Sequence, residues 1–308
     1  MRGVSFSLEK GEILGIVGES GSGKSVTTQA IPGLLPHNAA TAGSVLYEGK
    51  EILGLALKEL KAYRGKKIGM IFQEPGRSYD PLQNMGKVFL ETFRNSDPYI
   101  TKEEALHKAA LLLSEVGLPN GSERLSNFPH QFSGGQLQRI GIALALAQGC
   151  DLLIADEPTT ALDVTIQKQI IELLKTLRQS RKISIIFISH DIDLVSDISD
   201  RILVMYGGLV MESISSETII SGASHPYTKA LLAASPRFGN HYSNERLKII
   251  PGKVLDPTAP EPGCPFAPRC TEASTATGDD CLWAMPPLIN IMRDGASHVL
   301  RCVKGNKV

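Results

Sequence analysis

The chain has 308 residues, 42% apolar and 21% charged, which suits a globular protein able to bury one large or two ordinary cores and argues against disorder. Lys plus Arg and Asp plus Glu each total 32, so the formal net charge is zero and no global field points toward nucleic acid. The opening MRGVSFSLEKGEIL is broken by Glu9, Lys10 and Glu12, which excludes the apolar core of a secretory leader, and later apolar runs are too short or too charged to span a bilayer. A cytoplasmic protein is expected.

In chain order, residues 12–17 (EILGIV) read as a buried strand and 24–31 as a helix stopped by Pro32 and Gly33, so the glycine-rich stretch between them is a strand-to-helix turn. From about 80 to 148 the pattern is helical. There Thr101 and Glu104 form a capping-box signature, and Gly117 suits the left-handed position after a helix. DLLIA, a helix beginning near Asp163, ISIIFIS and RILVMY then alternate strand and helix, which predicts an α/β fold with a mostly parallel sheet. After about 235 the chain turns rich in Pro and Gly, as a linker or irregular lobe does.

GESGSGKS at 18–25 matches G-x-x-x-x-G-K-[ST]. In that pattern the glycines let backbone N–H groups curl around a β-phosphate, Lys24 reaches the β and γ oxygens, and Ser25 ligates Mg2+. Gly18, Ser20, Gly21, Ser22, Gly23, Lys24, Ser25 and Val26 are therefore candidate nucleotide contacts. LLIADE at 152–157 is an apolar strand ending in two acids, as a nucleotide hydrolase needs: Asp156 for the Mg2+ shell and Glu157 to polarise the attacking water. In FSGGQLQR at 132–139, Ser133, Gly134 and Gly135 open a helix and present free N–H groups to a second anion.

Together these residues resemble the ABC-type ATPases, with FSGGQ as the signature motif, Gln73 in IFQEP as the Q-loop, PTTALD at 158–163 as the D-loop and His190 in FISHD as the switch histidine. The resemblance covers about residues 3–225. It implies a P-loop fold with a mostly parallel core sheet, an antiparallel β subdomain and a helical insertion over about 80–148. It also implies a head-to-tail dimer in which Ser133, Gly134, Gly135, Gln136 and Asp163 of one subunit face the nucleotide held by the other. Glu157 would be the base, with His190 and Gln73 positioning water and γ-phosphate, and Ser25, Gln73 and Asp156 would serve Mg2+. The family's adenine-stacking aromatic lies upstream of VSFSL and has no counterpart here, Phe6 being a poor substitute. Either a first strand precedes this chain, or ATP is held chiefly through its phosphates.

EPTTALDVTIQ, HPYTKALLAASP at 225–236 and a cysteine-containing tail are similar to the ATP-binding subunits of oligopeptide and dipeptide importers, a group that includes nickel and some oligosaccharide systems. That implies an ATPase domain at 1–235 and an irregular extension at 236–308. The implied partners are two transmembrane permeases, a second ABC ATPase subunit, an extracytoplasmic substrate-binding protein and no nucleic acid, at the cytoplasmic face of the inner membrane. A non-transport ABC ATPase of a soluble enzyme complex is the rival reading. Cys264, Cys270, Cys281 and Cys302 are spaced C-x5-C-x10-C-x20-C. The resemblance implies a 4Fe-4S cluster there, with structural zinc or free packing thiols as alternatives. His298 is a spare ligand candidate expected at the surface, and Cys150 is expected to pack as a small hydrophobe.

Overall fold

Two apolar runs, ILGIV and LLIAD, form the strands Ile13–Val17 and Leu152–Asp156, and every residue of both is buried, as strands covered on both faces require. The structure is a computed structural model that describes residues 2–74, 76, 78–235, 249–256, 262–273, 280–293 and 296–303. The Pro- and Gly-rich stretches 236–248 and 257–261 lie outside those residues. The chain separates into two units: Met1–Leu8, Ile13–Thr27 and Phe187–Val308 in one, Glu9–Glu12 and Thr28–Ile186 in the other.

In the second unit, Ile68–Ile71 pairs parallel with Leu152–Asp156, Ile68 opposite Leu152 and Ile71 opposite Ala155. Gly69 permits close packing at this strand, since a Cβ there would stand 2.7 Å from the Ala145 carbonyl and 2.8 Å from Cys150 Sγ. Cys150 is buried, as expected, and desolvation pushes its thiol up to about 11. A small antiparallel ladder joins Leu46–Tyr47 to Lys50–Glu51.

The expected helical stretch contains Met85–Arg94, Lys102–Glu115, Gly121–Arg124 and Gly134–Leu146. Thr101 Oγ1 accepts from the Glu104 N–H at 3.2 Å, and Glu104 Oε2 accepts from the Thr101 N–H at 3.2 Å, completing the capping box. Gly117, at φ +75°, follows that helix's end.

In the first unit, Ile13–Val17 pairs parallel with Arg201–Tyr206, which turns through Gly207 and Gly208, both at positive φ, into the antiparallel strand Leu209–Ser215. The strand Ser184–Ser189 has its first three residues in the second unit and its last three in the first. The extension, expected as irregular, contains two paired strands: Ile289–Arg293 pairs antiparallel with Ala296–Leu300, which pairs antiparallel with Leu209–Ser215. The parallel strands, their helices and the small antiparallel ladder make up the predicted α/β class.

Candidate functional site

The buried strand Ile13–Val17 delivers residues 18–25 to the helix Lys24–Ala30. A side chain at Gly18 would put its Cβ 2.2 Å from the Met205 carbonyl, and Gly21 and Gly23 lie at φ +80° and +97°, where other residues are strained. Lys24 is only 5% exposed, and its Nζ donates to the carbonyls of Gly18 at 2.7 Å and Glu19 at 3.1 Å. Ser22 is buried, and among the described residues its Oγ finds no hydrogen-bond partner. An orphaned hydroxyl in a loop of glycines beside a buried ammonium suits a bound phosphate. Ser20 and Val26 are exposed, and Ser25 is half-buried.

The acid pair lies in the other unit. Asp156 is 3% exposed at the end of its strand. Glu157 follows in a left-handed conformation, φ +48°, and its Oε2 accepts from Thr160 Oγ1 at 2.8 Å and from Gln73 Nε2 at 3.3 Å. Glu74, at φ +54°, and Ala161, at φ +63°, are also left-handed non-glycine residues in the Q-loop and D-loop segments. Such strain costs of order 1–3 kcal/mol per residue and gathers where a site needs it. The fold thus brings Gln73 and Glu157 together. His190 is exposed just after the strand Ser184–Ser189.

Ser133 caps the helix Gly134–Leu146: its Oγ accepts from the Gln136 N–H at 3.3 Å, and Gln136 Oε1 accepts from the Ser133 N–H at 3.0 Å. A Cβ at Gly135 would stand 2.8 Å from Ile166 Cγ2, so glycine keeps the helix opening clear. Asp163 caps Val164–Arg181 by accepting from the Ile166 N–H at 3.0 Å. Ser133, Gly134, Gly135, Gln136, Ala161 and Asp163 line one pocket of 530 Å³. Signature motif and D-loop are therefore neighbours, with helix N–H groups at the pocket wall.

In the extension, burial pushes the Cys264 thiol up to about 12, with nearby Cys281 and Cys270 adding to it. Burial likewise raises Cys270, with smaller contributions from Glu272, Cys302 and Cys281. The Cys264 N–H donates to the Cys281 carbonyl at 2.8 Å, yet among the described residues no group of three or more His, Cys, Asp or Glu stands where it could hold a metal ion. Donor count and chemistry match an iron–sulfur cluster; the arrangement of the side chains does not.

His298 is not a surface residue. It is 2% exposed, and its Nε2 lies 2.7 Å from Oε1 of the fully buried Glu212, because Ala296–Leu300 is paired against the Glu212 strand and turns that side chain inward. Glu19, Arg269 and Tyr227 at the glycine loop were not singled out by motif reading. Arg269 holds Glu19 through two hydrogen bonds, and Tyr227 Oη accepts from the Glu19 N–H at 2.9 Å. The only hint in the sequence is a lone acid inside the glycine loop and an arginine between two of the tail cysteines.

The ABC transporter family matches residues 1–160, and the oligopeptide/dipeptide transporter C-terminal region matches residues 211–276. An oligopeptide transport ATP-binding protein, OppD, of Bacillus subtilis (strain 168) is 48% identical over 275 residues, spanning 89% of this chain and 76% of the relative. A dipeptide transport ATP-binding protein, DppD, of the same organism is 46% identical over 272 residues, spanning 88% and 80%. Among solved structures, a dimeric post-hydrolysis ATP-binding cassette bound to ADP and phosphate superposes with a TM-score of 0.62 at 31% identity, covering 69% of this chain and 89% of that one.

The chain belongs to the ABC transporter family and carries the C-terminal region of its oligopeptide/dipeptide branch. It is an ATP-hydrolysing subunit with the ABC ATPase fold. Membership implies membrane permeases as partners and pairing of ATPase subunits. Among the described residues no helix is long and apolar enough to cross a membrane.

Proposed function

We propose that this protein powers uptake of di- or oligopeptides across the cytoplasmic membrane, bound peripherally at the inner face to two permeases that receive cargo from an extracytoplasmic binding protein. The observation that carries the cargo class is the peptide-transporter region at residues 211–276, on a chain that also holds the nucleotide loop. We divide the chain into an ATPase domain at 1–235, with its helical part at about 80–148, and a peptide-importer extension at 236–308.

In this reading the Lys24 ammonium and the backbone of Gly18 and of 20–26 bind the phosphates, and Glu157 takes a proton from the attacking water. Gln73 and His190 orient that water and the γ-phosphate, while Ser133, Gly134, Gly135, Gln136 and Asp163 contact the nucleotide of a second subunit, identical or paralogous. Closing two such sites turns ATP binding into a rigid-body motion, and hydrolysis releases it. The oxygen donors of Ser25, Gln73 and Asp156 suit Mg2+, which when bound neutralises charge on the phosphate oxygens. For Cys264, Cys270, Cys281 and Cys302 the number and chemistry of the donors are what support a 4Fe-4S cluster, and no step of the cycle is assigned to it.

The test is uptake of labelled dipeptide, pentapeptide and nickel by cells whose only copy carries Glu157→Gln, beside cells with the unaltered gene. Loss of peptide uptake alone supports the reading. Loss of nickel uptake alone reassigns the cargo. Unchanged uptake with the protein in the soluble fraction makes it the ATPase of a soluble complex.

A further inference from the structure

Glu19 is the one acidic residue among 18–25, a loop whose other features suit an incoming triphosphate. An uncompensated carboxylate there would repel that anion. The fold answers it with Arg269, 250 positions away in the chain: Nη1 lies 2.5 Å from Glu19 Oε2 and Nη2 lies 3.0 Å from Oε1, a two-pronged pairing of guanidinium and carboxylate.

The cation is built in rather than laid on the surface. Arg269 is 7% exposed. Its Nε donates to the Pro251 carbonyl at 2.8 Å and its Nη1 to Tyr206 Oη at 3.1 Å. The guanidinium carbon sits 5.7 Å from the Tyr206 ring centre and 6.0 Å from that of Phe266. Tyr206, Tyr227 and Phe266, all nearly or fully buried, pack with ring centres 4.7 to 5.5 Å apart. The bond to Glu19 is the largest influence holding the guanidinium protonated, against the opposing effect of desolvation.

Glu19 is accordingly fixed at three points: its side chain by Arg269, its N–H by Tyr227 Oη, and its carbonyl by Lys24 Nζ. The third partner is the lysine expected to meet the β- and γ-phosphates. The loop's carboxylate is thus answered from a turn of the C-terminal extension, Ala267–Arg269.

We propose that Arg269 is a positioning residue that supports nucleotide binding by neutralising Glu19, so that the C-terminal extension forms part of the ATP site. The inference rests on the ATP-binding reading of that loop. It differs from a plain packing role in one respect: the harm of losing Arg269 is done by the carboxylate left behind, since removing one member of a desolvated pair strands the other.

The test uses the full chain and equilibrium binding of ATP at low and at high ionic strength. Arg269→Gln should weaken ATP binding about tenfold at low ionic strength, and the loss should shrink at high salt as screening hides the stranded charge. Glu19→Gln alone, at a partly exposed side chain that poses little risk to folding, should bind ATP no more weakly than wild type. The double variant should recover binding to within about threefold of wild type. Three results would overturn the proposal: unchanged binding by Arg269→Gln, a double variant as weak as Arg269→Gln at both ionic strengths, or weakened binding by Glu19→Gln alone. Wild-type protein that binds no ATP would instead remove the reading on which the proposal stands, and the proposal with it.

Discussion

The Gln73 side-chain amide donates to Glu157 Oε2 at 3.3 Å, joining residues 84 positions apart, and Thr160 Oγ1 donates to the same oxygen at 2.8 Å. The carboxylate proposed as the base is thereby aimed by two loops, and its other oxygen is not engaged by either bond. Glu157→Gln retains the shape and loses the basicity. We expect ATP binding to persist, steady-state hydrolysis to fall at least about a hundredfold, and an ATP-dependent dimer to accumulate in light-scattering chromatography. Turnover near the wild-type rate would remove Glu157 from the base role.

Gly69 makes a stability prediction independent of function. A methyl group there meets the Ala145 carbonyl at 2.7 Å and Cys150 Sγ at 2.8 Å, and a backbone oxygen cannot swing away as a side-chain tip can. Gly69→Ala should destabilise the protein by about 1–3 kcal/mol, read from denaturant midpoints. A midpoint at or above that of wild type would show that the helix Gly134–Leu146 can retreat without cost.

His225 predicts the acid side of the stability profile. Burial lowers its pKa to about 4, with Glu212 and Glu272 opposing and Lys229 assisting, and its Nδ1 accepts the Tyr227 N–H at 3.0 Å, which requires that nitrogen unprotonated. The unfolded chain, with an ordinary histidine near 6.5, binds a proton that the folded chain refuses between about pH 6.5 and 4. Stability contributed by the neutral imidazole is therefore complete above that window and declines as pH falls through it, by up to about 1.4 kcal/mol per pH unit. His225→Asn keeps a capping acceptor and should flatten this part of the curve. An unchanged slope in the variant would assign the loss to another group.

The 4Fe-4S cluster proposed on the donor chemistry of the tail cysteines predicts a spectroscopic result. Protein purified without oxygen should be brown and contain iron with acid-labile sulfide, and Cys270→Ser should remove both. Colourless protein holding zinc would assign the four thiols to a different metal, and metal-free protein would leave them as packing groups.

Much of the fold is legible in the chain because its signals are local. A glycine loop between an apolar run and a helix, a Thr101–Glu104 capping box and acids closing LLIAD each lie within a few residues, and the structure shows the expected element at each. The strands Ile289–Arg293 and Ala296–Leu300, INIMR and ASHVL, carry little of the apolar–polar alternation that marks a strand, and the Pro- and Gly-rich sequence before them reads as irregular.

What the sequence by itself determined is the class of chemistry; the phosphate loop around Lys24, the carboxylates Asp156 and Glu157 and the helix opening at Ser133 are the residues we propose carry it. Tertiary structure alone decided which polar side chains face each other. His298 pairs with Glu212 across 86 positions and Arg269 with Glu19 across 250, because β-pairing and the packing of the extension create these neighbours. The period of a residue along its own strand tells which face it takes. It says nothing of the side chain that the rest of the chain brings to meet it.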